Sequence, residues 1–258
     1  MSASLETLMQ AVHEAAQLAG AVAMKHYRTG IEVEFKGDGS PVTVADRSAE
    51  ESVRAWIRAR FPDDGFLGEE FGEHVGSSGR RWILDPIDGT KAFVRGVPLW
   101  GSLVAVLEGE DVLAGAACFP AVRETIAAAR GTGAWCNGAR AQVSDVADIA
   151  AATVLITDDR IIQPPFTRAG WDALAGGAAV SRGWGDCFGY LLVATGRAEV
   201  MLDPVVNSWD VACFLPIITE AGGVFTDLLG TVTAFGGHAI ATNAALAKTS
   251  RTLLRCSI

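Results

Sequence analysis

The segment that most constrains the fold is the run Trp82-Ile-Leu-Asp-Pro-Ile-Asp-Gly-Thr90, in which an apolar strand leads directly into two acids. Asp85 and Asp88 lie three residues apart, with a proline between them. Pro86 fixes its own φ, so the backbone between the acids has little freedom. The two carboxylates and the carbonyl of Ile87 can therefore face one point. The run predicts a rigid strand end that binds a cation; the alternative is an ordinary strand-to-turn junction with solvated acids.

The next two residues, Gly89 and Thr90, have the properties of a phosphate site, because glycine lets N–H groups approach an anion and threonine adds a hydroxyl that can orient water. Glu69 follows a short apolar strand, and Asp46 and Asp210 lie in the first turns of predicted helices. Carboxylates that converge in one cleft repel each other, and a divalent cation removes the repulsion. Oxygen ligands alone favour a hard ion such as Mg²⁺. For Glu69 the alternative is a surface acid, because Glu-Glu pairs are common there.

Hydrophobic periodicity predicts a mixture of helices and strands in two lobes, an α/β or α+β fold. Helical spacing predicts helices over residues 4–28, 43–61, 166–175, 188–196, 210–221 and from 243 onward. Alternating and apolar runs predict strands over residues 31–35, 81–84, 102–107, 112–117, 153–156, 224–226 and 238–241. We expect residues 1–145 to form an N-terminal α+β lobe with most of the candidate metal ligands. Residues 146–258 then form a C-terminal α/β lobe that carries Asp210 and the residues that determine substrate specificity, and the two lobes make one structural unit.

Composition and charge restrict the function of the 258-residue chain. Half of the residues are hydrophobic, which is enough for a sizeable core, and the formal net charge is −9. An acidic surface without Lys/Arg runs disfavours nucleic acid and anionic membranes. The first residues lack a secretory signal pattern, no apolar run reaches about 20 residues, and the five cysteines include no C-x-x-C pair. We therefore expect a cytoplasmic protein with reduced thiols.

Four motifs occur in the order found in one known family. They are Lys36-x-Asp38-Gly-Ser-Pro41-Val-Thr-x-Ala-Asp46, Gly68-Glu-Glu70, the run from Trp82 to Thr90, and Ser208-Trp-Asp-Val-Ala212 followed by Glu220-Ala-Gly-Gly223. In these motifs, which span nearly the whole chain, the sequence resembles the inositol monophosphatase superfamily. The resemblance implies a layered αβαβα sandwich, dependence on Mg²⁺, inhibition by lithium in many members, and usually a homodimer.

The resemblance also implies a role for the residues of these motifs. The implied ligands of two or three Mg²⁺ ions are Glu69, Asp85, the carbonyl of Ile87, Asp88 and Asp210. Asp46 and Thr90 are implied to form a pair that, with Glu69, orients the attacking water. Gly89 and Thr90 are implied to bind the phosphate. Hydrolysis then proceeds by two-metal activation of water, without a covalent intermediate on the protein.

Two segments bear on the choice of substrate. Lys91–Gly101 departs from inositol monophosphatases proper and, like Arg182–Gly196, resembles the histidinol-phosphate phosphatase branch. Histidinol phosphate carries an ammonium group and an imidazole, so its pocket needs carboxylates beyond those that hold metal. The candidates for substrate contact are Asp186, Asp203 and Arg182. The alternatives are a helix N-cap for Asp186 and a structural ion pair for Arg182.

The sequence thus predicts a Mg²⁺-dependent phosphomonoesterase that hydrolyses histidinol phosphate in histidine biosynthesis. Within the same chemistry, the alternative is an inositol-1-phosphate or broad sugar-phosphate phosphatase. A nucleotide 3′-phosphatase needs a basic adenylate pocket, which this acidic chain does not suggest. A catalytically silent binding protein is the alternative from another class, and the complete set of implied metal ligands argues against it. The expected partner is a small phosphate ester, with no nucleic acid and no membrane.

Overall fold

The structure is a computed structural model that describes residues 3–37 and 39–254. Asp38, in the first motif, and Cys256 lie outside the described residues. Within them, the α-helices are α1 Leu5–Met24, α2 Val44–Arg60, α3 Thr90–Val94, α4 Arg168–Gly177, α5 Cys187–Ala194, α6 Ser208–Val211, α7 Phe214–Glu220 and α8 Ala247–Leu254. The strands of the same part of the chain are β1 Glu34–Phe35, β2 Pro41–Val42, β3 Gly65–Gly68, β4 Gly72–His74, β5 Arg80–Asp88, β6 Gly101–Glu108, β7 Asp111–Phe119, β8 Glu124–Ala129, β9 Gly133–Cys136, β10 Ala139–Arg140, β11 Thr153–Ile156, β12 Val180–Arg182, β13 Val200–Asp203, β14 Val224–Thr226 and β15 Ala239–Thr242.

Two large sheets and one hairpin organise the described residues. The first sheet has eight strands in the order β10-β9-β8-β7-β6-β5-β3-β4, in which β3 and β5 are parallel and the other neighbours are antiparallel. The second sheet has five strands in the order β12-β11-β13-β15-β14, and β11 is parallel to both of its neighbours. β1 and β2 form a separate antiparallel hairpin.

Helices form three layers around these sheets. α1 and α2 pack on one face of the first sheet, where Val12 and Val53 share a core with Trp82. α5, α6 and α7 lie between the two sheets, and Tyr190 stacks on Phe214 there with ring centroids 4.7 Å apart. α4 and α8 pack against each other and cover the other face of the second sheet. This arrangement confirms the predicted αβαβα sandwich.

The predicted division into two lobes near residue 145 stays a proposal. The strands of the first sheet precede this residue and those of the second sheet follow it. One apolar core nevertheless joins both sheets, and it includes Ile83, Phe119 and Phe225. Among the helices of residues 3–37 and 39–254, none is long and apolar enough to cross a membrane.

Local sequence signals explain two helix ends. Ser4 is the N-cap of α1, and its hydroxyl accepts a hydrogen bond from the N–H of Thr7 at 3.2 Å. After α7 the chain turns at Gly222, with φ +87°. The N–H of Gly223 then donates to the carbonyl of Ile218 at 2.9 Å, which satisfies an oxygen of the last helical turn.

The single helix predicted over residues 210–221 is wrong. α6 ends at Val211, and α7 begins at Phe214. Pro216 explains the interruption, because in a continuous helix its ring would clash with the carbonyl of Ala212 and its nitrogen could not donate a hydrogen bond. The chain therefore forms two short helices, and only the first one carries the predicted acidic ligand.

Strand β8 has no sequence signal of its own. Its sequence, Glu-Thr-Ile-Ala-Ala-Ala, is rich in alanine, which is depleted in strands. Its last five residues are all buried, so polar and apolar residues do not alternate. The strand lies between β7 and β9 in the first sheet. Its conformation therefore depends on pairing with these neighbours, which the sequence analysis did not predict.

Gly115 of β7 lets the middle helices approach the first sheet closely, because a Cβ atom here would collide with the backbone of Cys213. We predict that Gly115→Ala lowers the free energy of unfolding by about 1–3 kcal/mol, since the backbone cannot move away from the added methyl group without straining the layers. Gly176→Ala in α4 is the control, because its Cβ meets nothing within 4 Å. Urea unfolding measures both variants, and equal stabilities would contradict this close packing.

Candidate active site

The end of β5 is rigid, as the sequence predicts. The pairing of β5 with β6 shifts register between Asp85 and Asp88. Within this irregularity, Asp85 Oδ1 accepts a hydrogen bond from the N–H of Ile87 at 3.0 Å. Ser102 Oγ in β6 donates to the carbonyl of Pro86 at 2.7 Å. These two bonds fix the backbone between the acids, so the directions of both carboxylates are largely determined.

A tight turn follows this strand end. Gly89 has φ +84°, and a Cβ atom there would lie 2.9 Å from the carbonyl oxygen of Leu99, so glycine is required. The first hydrogen bond of α3 is donated by the N–H of Ala92 to the carbonyl of Gly89 at 2.8 Å. The N–H groups of Gly89 and Thr90 lie before this bond and take no part in the hydrogen bonds of the helix. Thr90 Oγ1 donates to the carbonyl of Ile87 at 2.9 Å. The turn thus places N–H groups and a hydroxyl beside the acids.

Two acids from other elements are held by capping boxes. Asp46 is the third residue of α2, and its Oδ2 accepts the N–H of the N-cap Thr43 at 2.8 Å and the Thr43 hydroxyl at 2.7 Å. Asp210 is the third residue of α6, and its Oδ2 accepts the N–H of Asn207 at 2.7 Å. Each carboxylate is therefore fixed at the start of a helix by its own local sequence.

Asp85, Asp88 and Asp210 come together in one cluster, in which one carboxylate oxygen from each lies within 4.8 Å of the others. Burial raises the pKa of all three carboxyls, and neighbouring acids raise it further. For Asp210 the pKa is about 7. An oxygen-only donor set that is destabilised by its own repulsion fits a hard divalent cation, which neutralises that repulsion.

Glu69 borders this cluster and contacts a lysine. Lys36 Nζ lies 2.7 Å from Glu69 Oε1 and 2.8 Å from Glu70 Oε1. Burial is the main cause of the raised pKa values of Asp85 and Asp210, and the negative charge of Glu69 raises both further. Burial lowers the pKa of Lys36, but its hydrogen bonds to the two glutamates outweigh this and raise the pKa above the ordinary value. This lysine belongs to the first motif, but no role was predicted for it.

Asp46 and Thr90, the predicted water-orienting pair, both lie at this site. Burial raises the pKa of Asp46 to about 6, although the bonds from Thr43 oppose the increase, and its charge acts on Asp85. The hydroxyl of Thr90 donates to the Ile87 carbonyl and the carboxylate of Asp46 accepts from Thr43. Their direct pairing stays a prediction.

Two of the three candidate substrate contacts lie next to the cluster. Asp186 precedes α5, yet its side chain makes no capping hydrogen bond within the described residues, and its Oδ2 would lie 3.4 Å from a Cβ on Gly89. Asp203 ends β13, and burial raises its pKa to about 7. The charges of both acids contribute to the raised pKa of Asp88. These two acids therefore extend the negative region beyond the three clustered carboxylates.

Arg182, the third candidate, is exposed at the end of β12. Its guanidinium donates to the carbonyl of Ser181 at 2.7 Å, and the residue lines a surface cavity together with Thr157 and Asp158. Within residues 3–37 and 39–254, it makes no ion pair with an acid of the site. Contact between Arg182 and substrate stays a prediction.

Comparison with known proteins gives the family. The profile of the inositol monophosphatase family matches residues 4–256. The chain belongs to this family. The histidinol-phosphatase of Chlorobaculum parvum is 45% identical over 234 residues, which cover 90% of each chain. That of Mycobacterium tuberculosis is 41% identical over 221 residues, which cover 84% of this chain and 85% of its own. The solved extragenic suppressor protein SuhB of Bartonella henselae has a TM-score of 0.89 at 27% identity, over 97% of this chain and 99% of that chain.

As a member of the inositol monophosphatase family, which is metal-dependent, the protein is a phosphatase. Family membership agrees with the donor set of the site, which consists of oxygen atoms and excludes the softer histidine and cysteine ligands from the cluster. Cys187 and Cys213 lie near these acids and are buried. Burial raises the pKa of each thiol, and the charges of the neighbouring acids raise it further. Both thiols therefore favour the protonated form in the metal-free protein, and their soft sulfur atoms are poor ligands for a hard cation.

Glu50 is a residue of this site that the sequence analysis did not identify. It is fully buried in α2, and its carboxylate accepts the N–H groups of Glu70 and of the following residue at 2.8 and 3.1 Å. A Cβ on Gly68 would collide with this carboxylate. Glu50 therefore fixes the turn that carries Glu69. Its position four residues after Asp46 places it on the same helix face, but the contacts that show its role lie 20 and 21 residues away.

We predict that Glu50→Gln weakens Mg²⁺ binding by about tenfold or more, because residues that orient metal ligands typically have effects of this size. The amide of glutamine has one acceptor oxygen for the two N–H groups, so the turn that carries Glu69 loses part of its support. Glu51→Gln, on the exposed side of the same helix, is the matched control. Calorimetric titration with Mg²⁺ measures both affinities. Equal affinities in the two variants would contradict this role of Glu50.

The raised pKa of Asp210 also predicts a change in stability. Its folded pKa of about 7 exceeds its ordinary value of 3.8, so its ionisation destabilises the metal-free protein as pH rises from about 4 to about 7. We predict that metal-free Asp210→Asn has a higher Tm than the wild type at pH 8 and a similar one at pH 4. Saturating Mg²⁺ should raise the wild-type Tm and have little effect on the variant. Thermal scans with EDTA or Mg²⁺ measure this, and equal stabilisation of both proteins by Mg²⁺ would count against Asp210 as a ligand.

Proposed function

We propose that the protein is a Mg²⁺-dependent phosphomonoesterase that hydrolyses histidinol phosphate to histidinol and phosphate. The observation that carries the proposal is the pair Asp186 and Asp203, two acids beside the metal cluster and outside it. A substrate with positive charges complements these acids. The similarity to two histidinol-phosphatases over most of the chain supports the same substrate.

Charge complementarity favours a cationic substrate over a neutral one. Burial raises the pKa of Asp203 to about 7 and also raises that of Asp186. An ammonium or imidazolium group beside them stabilises their ionised forms and gains charge-assisted hydrogen bonds. An inositol phosphate brings hydroxyl groups and no positive charge to the same acids. We therefore rank histidinol phosphate above the alternative substrate.

The proposed metal ligands are Asp85, Asp88 and Asp210 from the cluster, together with Glu69 and the carbonyl of Ile87. Bound Mg²⁺ supplies Lewis-acid polarisation of the phosphoryl group and lowers the pKa of a water molecule. The chain's contribution is to hold five oxygen donors on three rigid supports, the end of β5, the turn after β3 and the start of α6. The number of ions, two or three, belongs to the same proposal.

The turn after β5 binds the phosphate group in this proposal. The N–H groups of Gly89 and Thr90 precede the helical hydrogen bonds and are available to phosphate oxygens. Thr90 Oγ1 donates a hydrogen bond to the Ile87 carbonyl, so its lone pairs can accept a hydrogen bond from water. The carboxylates of Glu69 and Asp46 provide further acceptors. Water oriented in this way attacks phosphorus in line, and the new P–O bond forms as the ester P–O bond breaks. One proton of the water passes to the histidinol oxygen, and the other stays on the phosphate.

The proposal also includes a cytoplasmic homodimer. It rests on the family resemblance and on five cysteines without a C-x-x-C pair. Light scattering of the purified protein at micromolar concentration tests the oligomeric state. A mass equal to one chain across this range would contradict the homodimer and would leave the proposed reaction unaffected.

The substrate is tested by measuring Mg²⁺-dependent phosphate release from histidinol phosphate, myo-inositol 1-phosphate and adenosine 3′,5′-bisphosphate. We expect kcat/KM for histidinol phosphate to exceed the other two by about tenfold or more, because a site built for charged groups discriminates against analogues that lack them. Asp88→Asn is the control for the metal site and should lose about 10²-fold or more with every substrate. Equal or better turnover of either other ester would overturn the proposed substrate.

We predict that Asp203→Asn raises KM for histidinol phosphate by about tenfold or more, because the variant keeps the size and one acceptor of the side chain and loses its charge. KM for myo-inositol 1-phosphate should change much less, since that ester has no positive charge. Asp145→Asn, at an exposed position, is the matched control. Steady-state kinetics with both esters measures the effect. A parallel increase in both KM values would show that Asp203 does not recognise the cationic group.

A further inference from the structure

Thr157 contacts both of the acids proposed to bind the substrate, Asp186 and Asp203. It follows β11 directly, and β11 pairs in parallel with β13 so that Ile156 lies beside Leu202. The next residues along the two strands are Thr157 and Asp203. The hydroxyl of Thr157 donates a hydrogen bond to Asp203 Oδ1. The register of the sheet therefore brings this threonine to the buried acid at the end of the neighbouring strand.

The same hydroxyl also holds the backbone of the second acid. Thr157 Oγ1 accepts the N–H of Asp186 at 2.8 Å. Asp186 has φ +50° and ψ −154°, a conformation that favours glycine and costs energy for other residues. A Cβ on Gly185 would collide with the backbone of Thr157, so this part of the loop lies directly against the threonine. The bond to Thr157 thus supports an unfavourable conformation that directs Asp186 toward Gly89.

One hydroxyl therefore connects Asp186 with Asp203. A hydroxyl can donate one hydrogen bond and accept others, and Thr157 uses both capacities in this way. Valine has nearly the same shape and could make neither bond. Loss of the hydroxyl leaves the N–H of Asp186 and an oxygen of buried Asp203 without their partner, which is unfavourable for both.

We propose that Thr157 is a positioning residue that fixes Asp186 and Asp203 for binding the cationic end of the substrate, and so determines specificity. This inference rests on the proposed function. Thr157 does not contact the reacting phosphate in this role. Its removal should reduce selectivity for the cationic ester more than it reduces the rate of the chemical step.

The test compares Thr157→Val and Thr157→Ser, with Thr252→Val on the exposed side of α8 as the control for a generic loss of a threonine hydroxyl. For each purified enzyme with Mg²⁺, kcat and KM are measured with histidinol phosphate and with myo-inositol 1-phosphate. We expect Thr157→Val to lower the ratio of the two kcat/KM values by about tenfold or more, mostly through KM for histidinol phosphate. Thr157→Ser and Thr252→Val should keep the wild-type ratio within about threefold.

Hydrogen exchange of the Asp186 amide provides a readout that does not depend on activity. Exchange should be faster in Thr157→Val and restored in Thr157→Ser, because only the hydroxyl accepts this N–H. A wild-type selectivity ratio retained in Thr157→Val, or a loss in Thr157→Ser as large as in the valine variant, would overturn the inference and leave the proposed function intact. A wild-type enzyme without preference for histidinol phosphate would instead overturn the proposed function, and the inference about specificity with it.

Discussion

Repulsion among buried carboxylates is the constraint on which the rest of this site depends. Oxygens of Asp85, Asp88 and Asp210 lie within 4.8 Å of one another, and burial raises the pKa of each acid. Such groups stay together because the bulged end of β5 and the capping box of α6 hold them before any ion binds. A divalent cation is the partner that turns this unfavourable arrangement into a stable one.

One hydrogen bond connects the cluster of Asp85, Asp88 and Asp210 with the loop that carries Asp186. Asp88 Oδ2 accepts the N–H of Cys187 at 2.5 Å, and Cys187 directly follows Asp186. Asp186 is in turn bound through its own N–H to Thr157, whose hydroxyl donates to Asp203. Hydrogen bonds and the peptide bond between Asp186 and Cys187 therefore connect Asp88, a proposed metal ligand, with both acids proposed to bind the cationic end of the substrate. This connection relates the position of the proposed metal and phosphate site to the position of the two acids proposed to bind the cationic end of the substrate.

Local signals predicted that acids follow strand ends and begin helices, whereas the layered fold and the full ligand set were implied by the resemblance of the motifs to one family. The Asp-Pro-Ile-Asp run and the capping position of Asp210 determine how these acids point, whatever lies elsewhere in the chain. Glu50 and Thr157 could not be predicted in this way, since their partners lie 20 and 46 residues away. Strand β8 was missed for a similar reason, because its alanines form a strand only between β7 and β9. Residues that position others depend on tertiary contacts, which short motifs do not contain.

The central claim, that the three clustered acids hold the catalytic cation, is tested most directly by anomalous diffraction from crystals soaked in Mn²⁺. Mn²⁺ accepts the same carboxylate and carbonyl oxygens as Mg²⁺ and has a measurable anomalous signal. We predict an anomalous peak within bonding distance of Asp85, Asp88 and Asp210. A fully soaked crystal with peaks only at other positions, or with none, would contradict the claim.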